Sequence, residues 1–347
     1  MVEWKKLGDL CDIGTGSNNR EDACENGSYP FFVRSKEVLR IDSYLFDEEA
    51  ILIPGEGGIG EIFHYIKGKY GLHQRTYRVH PKSKEAIGRF IYYFLFEHFG
   101  NYINKKSYKS TAASIRKPML IDFQIPVLSI SEQNRIVGIL DTFTDSIENL
   151  KKQIAQRRKQ YEFYRDQLLN LEGKEEVEWK ELKSTMQVLR GKRLTKNLLS
   201  EDADYYVFHG GLEPLGKYSN YNREANTVMV INVGASAGTV GYSADKFWSS
   251  DGCFAITHCD EILSRFLYYF LQSKTHYLQS QVRHAGIPTL DNAVVEKIRI
   301  PILSIEKQQR IVSLLDTFEA SISNLEAQLE QRQKQYEYYR NKLLTFE

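Results

Sequence analysis

Catalysis needs a nucleophile, a general base or a metal cluster. The eight histidines and four cysteines of this chain are the first places to look. His-Glu-x-x-His is absent, and no group of His and Cys has the intervals of a zinc site. His258 stands beside Cys259 with Cys253 nearby, but no further ligand follows at a useful spacing. The run Pro54-Gly-Glu-Gly-Gly-Ile-Gly-Glu-Ile62 lacks the Gly-Lys-Ser/Thr ending of a phosphate loop, and no acidic ribose partner stands about 20 residues on. Its glycines suit tight turns that let backbone approach a ligand closely. An Asn-Pro-Pro motif followed by Tyr or Phe does not occur. No catalytic residue, metal site or cofactor is therefore assigned.

The polar chemistry that does stand out is hydrogen bonding beside aromatic rings. In the first half, Arg34 and Lys36 follow Tyr29-Pro-Phe-Phe-Val, and Gln74 and Arg75 lie in a His-Gln-Arg-Thr-Tyr-Arg run. Lys105, Lys106, Tyr108 and Lys109 come later in that half. The second half offers Arg190, Lys192, Arg193 and Lys196, then His209-Gly-Gly, then Arg283 and His284. Arg, Lys and Gln can bond base edges, while Ser, Thr, Lys and Tyr commonly hold phosphates. The competing reading for each residue is an ordinary surface charge. Net charge is only +1, but the average hides a gradient. Residues 1–68 are acid-rich, whereas residues 69–120 carry eleven Lys and Arg against Glu85 and Glu97. Screening within about 10 Å makes the local patch the relevant quantity.

What positions these residues is a tandem duplication. Val2-Glu3-Trp4-Lys5 recurs as Val177-Glu178-Trp179-Lys180, an offset of 175, and residues 125–172 recur at 300–347 with 29 of 48 positions identical. Phe90-Ile-Tyr-Tyr-Phe-Leu echoes Phe266-Leu-Tyr-Tyr-Phe-Leu. Each half is thus a divergent module followed by a near-invariant segment. Copies that stay alike share a structural duty; copies that diverge do different versions of one job.

The like segments carry apolar and aromatic residues in steps of four and three. Ile136, Leu140, Phe143, Ile147, Leu150 and Ile154 begin one seam; Ile311, Leu315, Phe318, Ile322, Leu325 and Leu329 begin the other. Such a heptad seam predicts a coiled coil. Arg157 and Arg332 fill the gaps, and both seams continue to Leu171 and Phe346. Ser129 with Glu132 fits a capping box; Ser304 with Lys307 keeps only the cap. Connectivity favours antiparallel pairing of helices roughly 60 Å long. The expected architecture has mixed α/β recognition domains at 1–125 and 174–300, joined by spacer helices at 126–173 and 301–347 with an approximate two-fold axis. Two readers at a fixed separation would contact two half-sites of a duplex.

No stretch approaches the ~20 apolar residues of a membrane helix, and the first residues lack a signal-peptide core. Few, unpatterned cysteines suit a reducing cytoplasm, the expected location.

Ile125-Pro126-x-Leu128 with Gln133-x-x-Ile136-Val137, and its repeat Ile300-Pro301-x-Leu303 with Gln308-x-x-Ile311-Val312, resemble the conserved helix entry of type I restriction–modification specificity subunits. Residues 27–35, 53–57 and 73–75 look like one recognition-domain type of that family, and Gly191–Thr195 like another. Ser114-Ile115-Arg116 departs from the more usual Ile287-Pro288-Thr289-Leu290 pattern. The resemblance spans essentially the whole chain. It implies a non-catalytic, DNA-binding subunit whose two modules read the halves of a split site on double-stranded DNA. It also implies recruitment of two methyltransferase subunits and of restriction–motor subunits, to which S-adenosylmethionine and ATP belong. A stand-alone nuclease or a coiled-coil adaptor without DNA contact are the other classes this sequence admits.

Overall fold

Runs of Val, Ile and aromatic residues bounded by glycine turns form short strands, and the two heptad segments form single long helices. The first module comprises β1 (Glu3–Lys6), α1 (Leu7–Leu10), β2 (Cys11–Thr15), β3 (Tyr29–Phe32), β4 (Val38–Ile41), β5 (Phe46–Pro54), β6 (His64–Leu72), β7 (Thr76–Pro81), α2 (Gly88–Lys106), α3 (Lys117–Ile121) and β8 (Gln124–Val127). The long helix α4 (Ile130–Leu169) follows. The second module comprises β9 (Glu178–Glu181), β10 (Val188–Leu189), β11 (Tyr205–Phe208), β12 (Gly216–Tyr218), β13 (Thr227–Ile231), β14 (Val240–Ser243), β15 (Phe247–Ser249), β16 (Cys253–Ile256), α5 (Ser264–Ser273), α6 (Thr275–Ser280), α7 (Asn292–Glu296) and β17 (Arg299–Ile302). The chain closes with α8 (Ile305–Leu344). This computed structural model describes residues 2–106, 114–173 and 177–346, with backbone alone at residue 106.

Contacts divide the chain into two compact units, Met1–Lys151 with Ala327–Glu347, and Lys152–Glu326. Each unit holds one α/β module and a piece of both long helices. In the first, the sheet order is β2-β7-β5-β6-β3-β4, antiparallel except where β3 meets β6. The sheet curls until the chain after β2 meets the chain after β6: Asn18 N–H donates to Leu72 O at 3.2 Å and Gln74 N–H to Asn18 O at 2.9 Å. In the second unit the order is β10-β16-β13-β14, with a separate β12-β11-β15 sheet. There Lys192 N–H donates to Ser249 O at 2.9 Å, and β11 runs parallel to β15 as β3 does to β6. Together β14 and β15 occupy the place of the long β6. The two modules share a topology that their diverged sequences hide.

Both units seat the long helices alike. Ile136 and Leu140 join Leu344 in the first core; Ile311 and Leu315 join Leu169 in the second. Phe143 stacks on Tyr339 in the first unit and Phe318 on Tyr164 in the second, each at 5.4 Å between ring centres. In each unit the two helix segments therefore run in opposite directions. Arg332 covers the Phe143 ring and Arg157 the Phe318 ring, which explains the two charged positions in the seam. At the helix starts, Ser129 Oγ accepts from Glu132 N–H and Ser304 Oγ from Lys307 N–H. The Glu132 carboxylate bonds Arg135 instead of reaching back, so the capping box expected at Ser129 is a simple cap, like the one at Ser304.

Candidate nucleic-acid interface

A reader domain must be held rigidly, and both modules are held by the same two devices. Gln133 and Gln308 are fully buried. Gln133 Nε2 donates to Glu85 O and Leu128 O at 2.7 and 2.8 Å, and its Oε1 accepts from Ile87 N–H at 2.8 Å. Gln308 makes the same three bonds to Glu261 O, Leu303 O and Leu263 N–H. Two turns further along α4, Asp141 Oδ1 accepts from Arg89 Nε at 2.8 Å and from the Tyr93 hydroxyl at 2.5 Å. Arg265, Tyr269 and Asp316 repeat that pattern. Each guanidinium also lies about 5 Å from three tyrosine rings, Tyr65, Tyr92 and Tyr93 in one unit and Tyr242, Tyr268 and Tyr269 in the other. Charge-assisted bonds at fixed geometry lock the module's helix to the long helix.

In the first unit, four loops converge where the sheet curls. Gly16 permits it: a Cβ there would lie 1.9 Å from Leu72 O. Arg34 Nη1 and Arg75 Nη1 both donate to Glu56 Oε2, at 3.1 and 2.8 Å, and Gln74 Nε2 donates to Asn19 Oδ1 at 2.7 Å. Arg34, Gln74 and Arg75 are thus brought together, all exposed. Lys36 is exposed two residues beyond Arg34. Lys105 is exposed near the end of α2, whose Gly100 backs onto Gly60. The Lys106 side chain, Tyr108 and Lys109 lie outside the described residues.

In the second unit the matching glycine is Gly191, where a Cβ would lie 1.7 Å from Ser250 O. Lys192 and Arg193 follow it, exposed, and the Trp248 indole N–H donates to Lys192 O at 2.8 Å. Lys196 opens a short 3-10 turn. Neighbouring loops tie on in sequence: His209 Nδ1 accepts from Gly252 N–H, Asn232 N–H donates to Gly252 O, and Gly234 N–H to Pro288 O. Arg283 pairs with Thr289 through backbone bonds, leaving His284 exposed on the turn. Arg190, exposed and just before Gly191, reaches Asn292 Oδ1 at 3.4 Å. The segments that depart in sequence play one part. Ser114 bridges Glu56, and Thr289 bridges Val233, so each pairs with the loop after the module's central strand.

The model of the type I restriction modification DNA specificity domain matches residues 1–157 and again 174–333. The chain belongs to this family. A Haemophilus influenzae relative assigned to the type I restriction specificity subunits is 28% identical over 99% of this chain and 96% of its own length. The type I EcoR124I/EcoR124II specificity subunit of Escherichia coli is 26% identical over 76% of this chain and 72% of that protein. In fold, the chain is similar to the S subunit of a type I system from M. genitalium, with a TM-score of 0.76 over 100% of this chain and 97% of that one, at 19% identity.

The sequence reading of these DNA specificity domains passed over Glu56, Asn19 and Gly16. Gly16 was findable, since it stands 175 residues before Gly191. Gly234-Ala235-Ser236-Ala237-Gly238 has the Gly-x-Ser-x-Gly spacing of a hydrolase nucleophile turn, but it joins the antiparallel β13 and β14. The strand-to-helix context that exposes such a serine is not there. Among the described residues no group of three or more His, Cys, Asp and Glu is placed to hold a metal. Burial pushes the Cys253 thiol up to about 12, and His258 Nε2 lies against Thr227 and Asn226. No described helix is long and apolar enough to cross a membrane.

The first specificity domain carries a pH dependence. Burial holds His64 below the usual imidazole value, and burial with Arg34 and Arg75 does the same for His73. His73 Nδ1 accepts the Arg75 N–H at 3.0 Å, which requires an unprotonated nitrogen. A depressed histidine leaves stability whole above the unfolded value of 6.5 and removes it as pH falls below, because the unfolded chain takes the proton first. The first unit's unfolding temperature is expected to drop between pH 7.5 and 5.5; an unchanged temperature over that range would refute the assignment.

Proposed function

We propose that this chain is the DNA-reading subunit of a type I restriction–modification assembly, that each module reads one half of a bipartite duplex site, and that the paired helices set the gap. One observation carries the reading. The anchors repeat residue for residue, Gln133 and Gln308, Arg89 and Arg265, Asp141 and Asp316, while the loops they hold present different donors. After the shared glycine one module continues Ser17-Asn18-Asn19 and the other Lys192-Arg193. A constant mount under variable loops suits two readers of different sequences.

Partner recruitment follows the same logic. Phe163 and Tyr338, 175 residues apart, are 63% and 60% exposed, so one aromatic docking feature occurs twice. A feature present in two copies fits two copies of one methyltransferase subunit, with restriction–motor subunits completing the assembly. Catalysis, and the S-adenosylmethionine and ATP it uses, belong to those partners.

Exchanging residues 1–125 for another module, followed by methylome sequencing of cells carrying the partner subunits, is expected to change one half-site and keep the other. A change in overall activity with an unaltered motif would sink the reading. Cleavage or methylation by the purified chain alone would favour an enzyme instead.

A further inference from the structure

Glu56 stands between Arg34 and Arg75, two exposed guanidiniums that would otherwise attract phosphate. Its backbone is fixed: Gly55 N–H donates to Arg75 O, Ile115 N–H donates to Gly55 O, and Gly57 and Gly58 follow with φ of 72° and 64°. Such a turn fixes the backbone at Glu56 and gives side chains at those glycines a steric penalty, while the bonds from Arg34 and Arg75 hold the carboxylate. Both arginine bonds fall on Oε2, and among the described residues nothing bonds Oε1. The arginines hold the Glu56 carboxyl below the usual carboxylate range, so it stays charged.

An ionised carboxylate against a phosphate is repulsive, and it removes one of the two positive charges the pair would offer. Against base edges the same arrangement is complementary. Each planar guanidinium spends one N–H on Glu56 and keeps its others for acceptors such as guanine O6 and N7. In the major groove the carboxylate can accept only from an exocyclic amino group, cytosine N4 or adenine N6. We propose that Glu56 is a specificity-determining residue of the first module, which converts Arg34 and Arg75 from phosphate holders into base readers and offers its second oxygen to a base amino group. This rests on the first module reading a half-site.

Glu56→Gln keeps the shape and removes the charge; Glu56→Ala removes the acceptor as well. In cells carrying the full chain with its modification partners, methylome sequencing should show roughly 10-fold weaker discrimination at one position of the first module's half-site. The second module's half-site should be unchanged. Non-cognate binding should gain about one unit of slope in log affinity against log salt. Thermal unfolding of both variants, at a side chain that is 40% exposed, separates loss of fold from loss of reading. An unaltered motif in both Glu56 variants, with Arg34→Ala and Arg75→Ala changing it, overturns this inference and leaves the module's function standing. An unaltered motif in all four variants overturns this inference as well, whereas the reading of the first module falls only if exchanging residues 1–125 also leaves the motif unaltered. Uniform loss of methylation at both half-sites with normal unfolding also overturns the role given to Glu56.

Discussion

Replacing Gln308 by Leu is expected to destabilise the second unit by about 3–5 kcal/mol, because three part-buried backbone groups lose their partner while the side chain stays apolar and of similar size. The groups are Leu263 N–H, Glu261 O and Leu303 O. This site needs one acceptor and two donors on one planar group, and only an amide supplies that set. Gln308→Glu, the same shape, should therefore cost as much, since it sets a carboxylate oxygen against two carbonyls. For a unit of this size the loss amounts to a thermal shift on the order of 10 °C. Gln133→Leu should do the same to the first unit. Differential scanning calorimetry of the single variants and the double variant checks this. A shift of a degree or two would show that water replaces the amide, and that the anchor is weaker than its geometry states.

Gly191→Ala is the second large effect. The added Cβ would meet Ser250 O at 1.7 Å, and the obstacle is backbone that cannot rotate away. The chain after β10 must lift off, breaking the Lys192 N–H bond to Ser249 O and the Trp248 bond to Lys192 O. A cost near the upper end of overpacking, about 3 kcal/mol, is expected. The methylation pattern should lose the second half-site while the first survives, and Gly16→Ala should give the reverse. Gly138, exposed on α4 with nothing within 4 Å of a Cβ, supplies the contrast. Alanine there should stabilise by about 0.5–1 kcal/mol. Methylation by Gly191→Ala at an unaltered site would show that the loop reads DNA without its close contact.

Much of the scaffold was legible because identical residues report identical duties. The seam positions Phe143 and Phe318 are paired as the heptads imply. Leu169 and Leu344 were not legible: each lies one residue off the seam and turns into a module core, which periodicity along one helix cannot reveal. The role of Gln133 was hidden for another reason. Its partners are backbone atoms of residues 85, 87 and 128, and backbone leaves no trace in residue type. Glu56 lies about 20 positions from each of its arginines, and only the curl of the sheet brings the three loops together.

The last turns of α8 belong to the first unit's core. Leu344 is fully buried there, Phe346 packs on Phe90 and Phe94, and His98 bonds Leu344 O. During synthesis the first unit lacks residues 327–347 until α8 is made, whereas the second unit, residues 152–326, has all its parts earlier. Maturation therefore runs against the order of synthesis. A stop codon placed after residue 326 should spare the second unit, which holds residues 152–326, and leave the first without the segment that covers Phe90 and Phe94.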